Sequence, residues 1–308
     1  MPTPGRVISL SPNVSMVLFA LDADAVVVGR TAGCVPALQH YGTVWHLPES
    51  AVAQRVQHWQ TIPVVGTWPL ADRETIQALQ PDLILTSGSG PFGVHEAQTI
   101  GVAAEAVRHW DIRTFADLER QMQQLGTLLG KTAAAAAVTA QLLHQRNAVQ
   151  ARQPKGATPP GVLFEYCVCT HYDADPERRV AEPTHTVLVG GHLAPELIQW
   201  SGGTPVCAQP GDPARWVAFD EIRAAQPQVI LQYDCHGCPT ARKYPIPTRH
   251  GWAVLPAVIH EAVYTLSENI SDPNLCFPVA LEQVADILQR HAARTAVRDG
   301  EGPRFSPA

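Results

Sequence analysis

The sequence predicts an α/β protein made of two β-α-β lobes with mainly parallel sheets, joined by one long backbone helix. Three observations carry this. Short β-rich runs alternate with helical stretches in both halves of the chain; an alanine-rich segment, Thr132 to Arg152, lies between them; and Gln153 to Gly161, rich in proline and glycine, follows as a linker. At 308 residues the chain is also longer than one hydrophobic core usually sustains.

In the first half, Arg6 to Leu10 (RVISL) is a strand, and Ser11-Pro12-Asn13 opens an apolar periodic helix at Val14 with a Ser or Asn cap. A second strand, Ala25 to Gly29, gives way to a loop at Arg30 to Val35. A third, Pro63 to Val65, leads through Gly66-Thr67-Trp68 to a helix at Arg73 to Leu79 and the strand Asp82 to Thr86. The glycine-rich loop Ser87 to Gly93 lacks the Gly-Lys-Ser/Thr ending of a phosphate loop and reads as site lining.

From Phe115 onward Leu118, Met122, Leu125, Leu128 and Leu129 repeat at helical spacing, and the alanine run follows. Alanine is the best helix former, and this run extends about 30 Å at about 1.5 Å per residue. The second half offers the strand Val162 to Tyr166 (VLFEY), helices near Leu193 to Trp200 and Phe219 to Ala225, the strand Val229 to Tyr233 (VILQY) and a closing helix from Pro278 to His291. The expected division is an N-terminal lobe at 1–127, a connecting helix at 128–154, a C-terminal lobe at 155–294 and a disordered tail at 295–308. Ligands of such sheets gather at the carboxyl ends of the strands, here in a cleft between the lobes.

Composition narrows the function. A net charge of -6 and a pI near 6.1 provide no basic stripe for nucleic acid. No apolar run is long enough to cross a bilayer, so no membrane insertion is expected. Met1 to Leu10 lacks a charged-then-apolar leader, which places the sequence as it stands in the cytoplasm, or in the periplasm or outside the cell if a leader has been removed. No Gly-x-Ser-x-Gly elbow or paired-acid signature is present, so a binding role is predicted ahead of an enzyme, with a metal-dependent activity as the minority alternative.

Several segments resemble a known family. RVISLSPNVSMVLFALDADAVVVGRT resembles the first strand-helix-strand of the substrate-binding proteins of ABC importers for ferric siderophores, haem and cobalamin. ADRETIQALQPDLILTSG is similar to that family's E-x-I-x-x-L-x-P-D-L-I segment; VAFDEIRAAQPQVILQ repeats it in the second half, after a Gly-Gly turn in LIQWSGGTP. Together these motifs span about Arg6 to Arg290. The resemblance implies a monomer that closes on a small metal chelate, with cobalamin or another corrinoid ahead of ferric siderophore or haem. It also implies an aromatic ligand contact at Trp68 and acidic residues that dock on an ABC permease, Glu74 in one lobe and Asp220 or Glu221 in the other.

The cysteines depart from the family pattern. Seven are present, an odd number. Cys34 follows the second strand, Cys167 and Cys169 follow VLFEY, Cys235 and Cys238 follow VILQY, and Cys207 and Cys276 fall in other loops. Thiolates suit zinc, iron or an iron-sulfur cluster, and the Cys-x-x-Cys spacing lets two sulfurs reach one metal. Cys167, Cys169, Cys235 and Cys238 are therefore candidate metal ligands in an alternative function, a cytoplasmic relative holding a metal ion or cluster; free thiols and disulfides remain open. Further ligand-contact candidates in predicted strand-end loops are Cys34, Trp45, His46, Ser87, Tyr166, His171, Trp216, Tyr233 and His236, alongside His185 and His192. Indole rings suit a flat macrocycle or corrin by stacking and apolar burial. Arg30, Arg178, Arg179, Arg215, Arg242 and Lys243 would suit an anionic chelate.

Overall fold

A computed structural model describes residues 3–67, 70–87, 94–154, 156, 158–167, 186–234, 245–267 and 275–300. The chain divides into two compact units, Met1–His144 with Pro273–Cys276 and Gln145–Asp272 with Phe277–Ala308.

The first unit begins with β1 (Val7–Ser9), α1 (Pro12–Ala20), β2 (Val27–Arg30), α2 (Cys34–Val44) and α3 (Glu49–Thr61). Ser11 caps α1 by accepting from the Asn13 amide, and Pro12 occupies the first turn, where it has no hydrogen bond to lose. A small hairpin, β3 (Gly66–Thr67) and β4 (Leu70–Ala71), precedes α4 (Arg73–Ala78) and β5 (Leu83–Ser87). Then come α5 (Val94–Thr99), β6 (Val107–Trp110), α6 (Phe115–Leu128) and α7 (Thr132–Ala151), whose residues from Gln145 onward belong to the second unit. The sheet order is β2-β1-β5-β6, with every pairing parallel. β5 is buried along its whole length, as a strand covered on both faces must be.

The second unit contains β7 (Gly161–Cys167), β8 (Thr186–Val189), α8 (Ala194–Trp200), β9 (Thr204–Pro205), β10 (Arg215–Ala218), α9 (Phe219–Ala225), β11 (Val229–Asp234), α10 (Pro256–Ile259), β12 (Val263–Ser267) and α11 (Phe277–Gly300). Its sheet runs β10-β8-β7-β11-β12, with β9 beside β7. The β7-β11-β12 core is parallel; β8 pairs antiparallel with β7, and the edge strand β10 pairs antiparallel with β8. Leu163, Val187, Val189, Ile230, Ile246 and Trp252 form a buried core on one face of this sheet.

Three expectations need correction. The connecting helix expected at 128–154 is α7, Thr132–Ala151, because Gly130 turns left-handed at φ 68° and separates it from α6, which ends at Leu128. Pro63 to Val65 forms only an isolated parallel bridge from Val64 to Arg30, since Pro63 has no amide to give a ladder. The closing helix runs on through Gly300, so Thr295 to Gly300 is helical, and 301–308 lie outside the described residues.

The two halves share one local design. In α4 and α9, Ile76 and Ile222 are fully buried, and both helices end at a left-handed glutamine, Gln80 (φ 42°) and Gln226 (φ 47°). Pro81 and Pro227 follow and the chain enters β5 and β11. A residue before proline is disfavoured in the right-handed helical region, which ends both helices at the same place.

Candidate functional site

In the second unit, strand register assembles an aromatic surface. β7 and β11 pair with Glu165 opposite Gln232, so Tyr166 and Tyr233, one residue further on, are neighbours near the carboxyl ends of both strands. Their rings stack, with centroids 5.2 Å apart and planes inclined at 12°. His192 meets Tyr166 edge-on at 5.6 Å. His192, itself left-handed at φ 49°, follows Gly190 and Gly191, whose φ angles of 72° and 87° side chains rarely adopt; a Cβ at Gly191 would lie 2.7 Å from that of Ala214. Tyr233 is buried, while Tyr166 and His192 are half-buried.

In the first unit, the carboxyl ends of β1 and β5 carry hydroxyls. Ser9 Oγ lies 2.8 Å from Ser15 Oγ, and Ser87 Oγ donates to Ser11 Oγ. All four serines are buried. Ser87, read from sequence as loop lining, is thus the last residue of β5 and ties that strand to the cap of α1. Arg30 is buried and donates from Nε to the Trp59 carbonyl at 2.7 Å and from Nη1 to that of Thr31 at 3.2 Å.

The loop placement of Cys34 is corrected. It is the first residue of α2, fully buried, with its sulfur 3.1 Å from Thr31 Oγ1. Burial pushes its thiol pKa up. Cys276 is equally buried, against Met16, and burial pushes its thiol up to about 12. Cys207 is half-buried, and burial followed by the Glu221 charge raises its thiol to about 11. Thiols shifted this way stay protonated at neutral pH and are poor metal donors. Among the described residues no group of three or more His, Cys, Asp or Glu side chains is placed to hold a metal ion. Cys169, Cys235 and Cys238 lie outside the described residues, as does the side chain of Cys167 at the end of β7.

Trp45 caps α2 and donates from Nε1 to the Leu275 carbonyl at 3.1 Å, and His46 beside it is exposed. Trp216 is 44% exposed on edge strand β10. Trp68, His171, His185, His236, Arg178, Arg179, Arg242 and Lys243 lie outside the described residues.

The acidic candidates separate. Glu74 is exposed in the first turn of α4, and the shared Ile-Gln-Pro pattern puts Asp220 at the matching position of α9. The Asp220 side chain is 83% exposed, with Arg223 at 3.0 Å. Glu221 is instead held bidentately by Arg215, which lowers the Glu221 pKa and raises that of Arg215.

Glu165, Gln232 and Arg249 were not anticipated from sequence. The signal was the matched polar residue in VLFEY and VILQY, each embedded in an apolar run.

The architecture is that of a two-unit α/β binding protein with chemistry at its strand ends. The family described as periplasmic binding protein matches residues 7–270, and the chain belongs to that family. Among solved structures it is similar to an ABC transporter substrate-binding protein from Listeria monocytogenes (18% identity, TM-score 0.71, covering 93% of this chain and 99% of that one). It is also similar to S. aureus IsdE complexed with haem (18%, 0.67, 92% and 98%). A third likeness is to the periplasmic vitamin B12 binding protein BtuF of Vibrio cholerae (20%, 0.60, 94% and 98%). Identities this low speak to fold alone. No curated protein matches the chain.

Proposed function

We propose that this chain is the substrate-binding protein of an ABC importer, working in the periplasm or outside the cell, and that its ligand is a flat, metal-bearing tetrapyrrole, a corrinoid or haem, ahead of a ferric siderophore. The observation that carries the ligand class is the Tyr166–Tyr233 stack with His192 at its edge. Offset rings present a broad face that a macrocycle can cover, and phenol oxygen and imidazole nitrogen are both donors that haem iron accepts. Cations argue the same way. Arg30 and Arg215, two of those suited to an anionic chelate, are committed to backbone carbonyls and to Glu221.

The family supports the transport role; the haem-bound, vitamin B12-binding and Fe3+-hydroxamate neighbours are in keeping with a metal chelate and do not choose among them, so the tetrapyrrole reading rests on the tyrosine stack. Glu74 and Asp220, exposed at matching positions in the two units, are the proposed permease contacts; Glu221 is occupied by Arg215. Ligand capture is non-covalent.

Equilibrium titration with hemin, cyanocobalamin and ferrichrome, followed by tryptophan fluorescence and ligand absorbance, tests this. Saturable one-to-one binding of hemin or cyanocobalamin, lost in Tyr166→Ala, is expected. Binding of ferrichrome alone, or tetrapyrrole binding indifferent to Tyr166→Ala, would refute the ligand class.

A further inference from the structure

The face of the β7–β11 pair opposite the tyrosine stack holds a charged group that ligand contact does not explain. Side chains alternate along a strand, so Glu165 and Gln232 project to the face that carries Leu163 and Ile230, while Tyr166 and Tyr233 project to the other. The Glu165 carboxylate is 1% exposed and accepts from both terminal nitrogens of Arg249, with Nη2 to Oε1 at 2.8 Å. Gln232 Nε2 donates to the same Oε1 at 2.9 Å. The Arg249 side chain is fully buried, and its guanidinium lies 4.8 Å from the centroid of the Trp252 ring.

Stability alone is a poor reason for this arrangement. Well-packed apolar side chains of similar volume serve a core as well as, or better than, a buried ion pair. What the pair adds is direction: a bidentate fork fixes orientation as well as distance. One carboxylate, rooted on β7, is gripped by Gln232 from β11 and by Arg249 from the following 3-10 turn. The next residue along each strand is one of the stacked tyrosines.

We propose that the Glu165–Arg249 pair, with Gln232, is a positioning device for the ligand surface, holding β7 and β11 in the alignment that stacks Tyr166 on Tyr233. This rests on reading Tyr166 and Tyr233 as ligand contacts. Glu165 and Arg249 act through the rings and touch no ligand.

The test uses full-length protein labelled with 3-fluorotyrosine. The 19F resonances of Tyr166 and Tyr233 are assigned by Tyr166→Phe and Tyr233→Phe. Glu165→Gln strands a buried guanidinium and can unfold the chain, so the deciding variants are the apolar pair Glu165→Leu with Arg249→Met, and Gln232→Met, which keeps the ion pair. The apolar pair is expected to melt no lower than the parent, yet to shift and broaden the Tyr166 and Tyr233 lines while other tyrosine lines stay in place. In Gln232→Met the Tyr233 line should move most. Affinity for whichever of hemin or cyanocobalamin the parent binds should fall about tenfold, the scale for losing a partner that orients a binding side chain. Unmoved Tyr166 and Tyr233 lines in both variants would overturn the proposal, as would parental affinity in the apolar pair. A parent that binds neither probe would refute the functional reading, while the 19F lines still decide the positioning role.

Discussion

Asp24 organises the first unit through two partners, Trp59 and Arg55, that a single substitution releases. Its Oδ1 accepts from the indole nitrogen of Trp59 at 2.5 Å, and its Oδ2 accepts from Arg55 Nε at 2.6 Å. Arg55 in turn donates to the Phe19 carbonyl at 2.6 Å and lies 3.6 Å over the Phe19 ring. Trp59 is fully buried, so Asp24→Ala leaves its N–H without an acceptor, which costs about 1–3 kcal/mol. The charge-assisted bond to Arg55 contributes about 1.5 kcal/mol, taken at the low end because that side chain is 28% exposed and water replaces part of the loss. The sum is about 3 kcal/mol. At about 2–4 °C per kcal/mol for a unit of this size, the first-unit transition should drop by about 6–12 °C in scanning calorimetry. Asp24→Asn keeps an acceptor for Trp59 and should lose about half as much. Asp22 is the internal control: its carboxylate is 78% exposed and 3.7 Å from Arg55, and because its backbone is left-handed at φ 53° the control variant is Asp22→Asn, which tolerates that conformation and should cost less than about 1 kcal/mol. An Asp24→Ala transition within about 2 °C of the parent, or equal losses at Asp22 and Asp24, would refute the reasoning.

Other consequences can be checked separately. His291 is a buried base whose pKa is lowered first by burial, then by His260 and Arg294. Its unfolded form takes up a proton more readily than its folded form. Stability should therefore decline as pH falls below the ordinary histidine value of 6.5, and His291→Phe should flatten that slope in denaturant titrations at stepped pH. Gly191→Ala meets both a left-handed backbone and the Ala214 Cβ; it should weaken tetrapyrrole binding by displacing His192, whereas Gly101→Ala, left-handed but with open space at its Cβ, should leave affinity unchanged. Glu74→Ala and Asp220→Ala should leave ligand affinity intact yet abolish ligand-stimulated ATP hydrolysis by the reconstituted importer. Glu221→Ala, losing only its exposed pair with Arg215, should retain most of it.

Much of this was legible in the sequence because buried parallel strands are short apolar runs. RVISL, DLILT, VLFEY and VILQY correspond to β1, β5, β7 and β11, and the segments ADRETIQALQPDLILTSG and VAFDEIRAAQPQVILQ contain α4 and α9. Helices α2 and α3 were not assigned from the sequence; α2 carries Pro36 and Gly42, both poor helix formers, although a proline in the first turn gives up no hydrogen bond, and α3 buries only Val56 and Trp59, so its apolar face is thin. Strand β6 was missed because Arg108 and His109 interrupt its apolar pattern with exposed positions, and β8, β10 and β12 because each is only four or five residues long, with β10 and β12 also at the sheet edges. In the candidate site, Tyr166 and Tyr233 could be named because each stands at the end of a recognisable apolar run, VLFEY and VILQY. The Glu165–Arg249 pair could not, since its partners stand 84 residues apart with no local pattern between them. The thiols misled at Cys34: a cysteine after a strand reads as loop chemistry, but here it starts a helix and packs inside.

The most direct test of the central claim is the metal content per chain, by elemental mass spectrometry, of protein purified without oxygen from cells supplied with haem and cobalamin. The account predicts close to one iron or cobalt per chain, with a matching tetrapyrrole absorbance, and loss of both in Tyr166→Ala with Tyr233→Ala. Metal without a tetrapyrrole spectrum, retained in that double variant but lost when Cys167 and Cys235 are changed to Ser, would contradict it and make the thiolates the binding site.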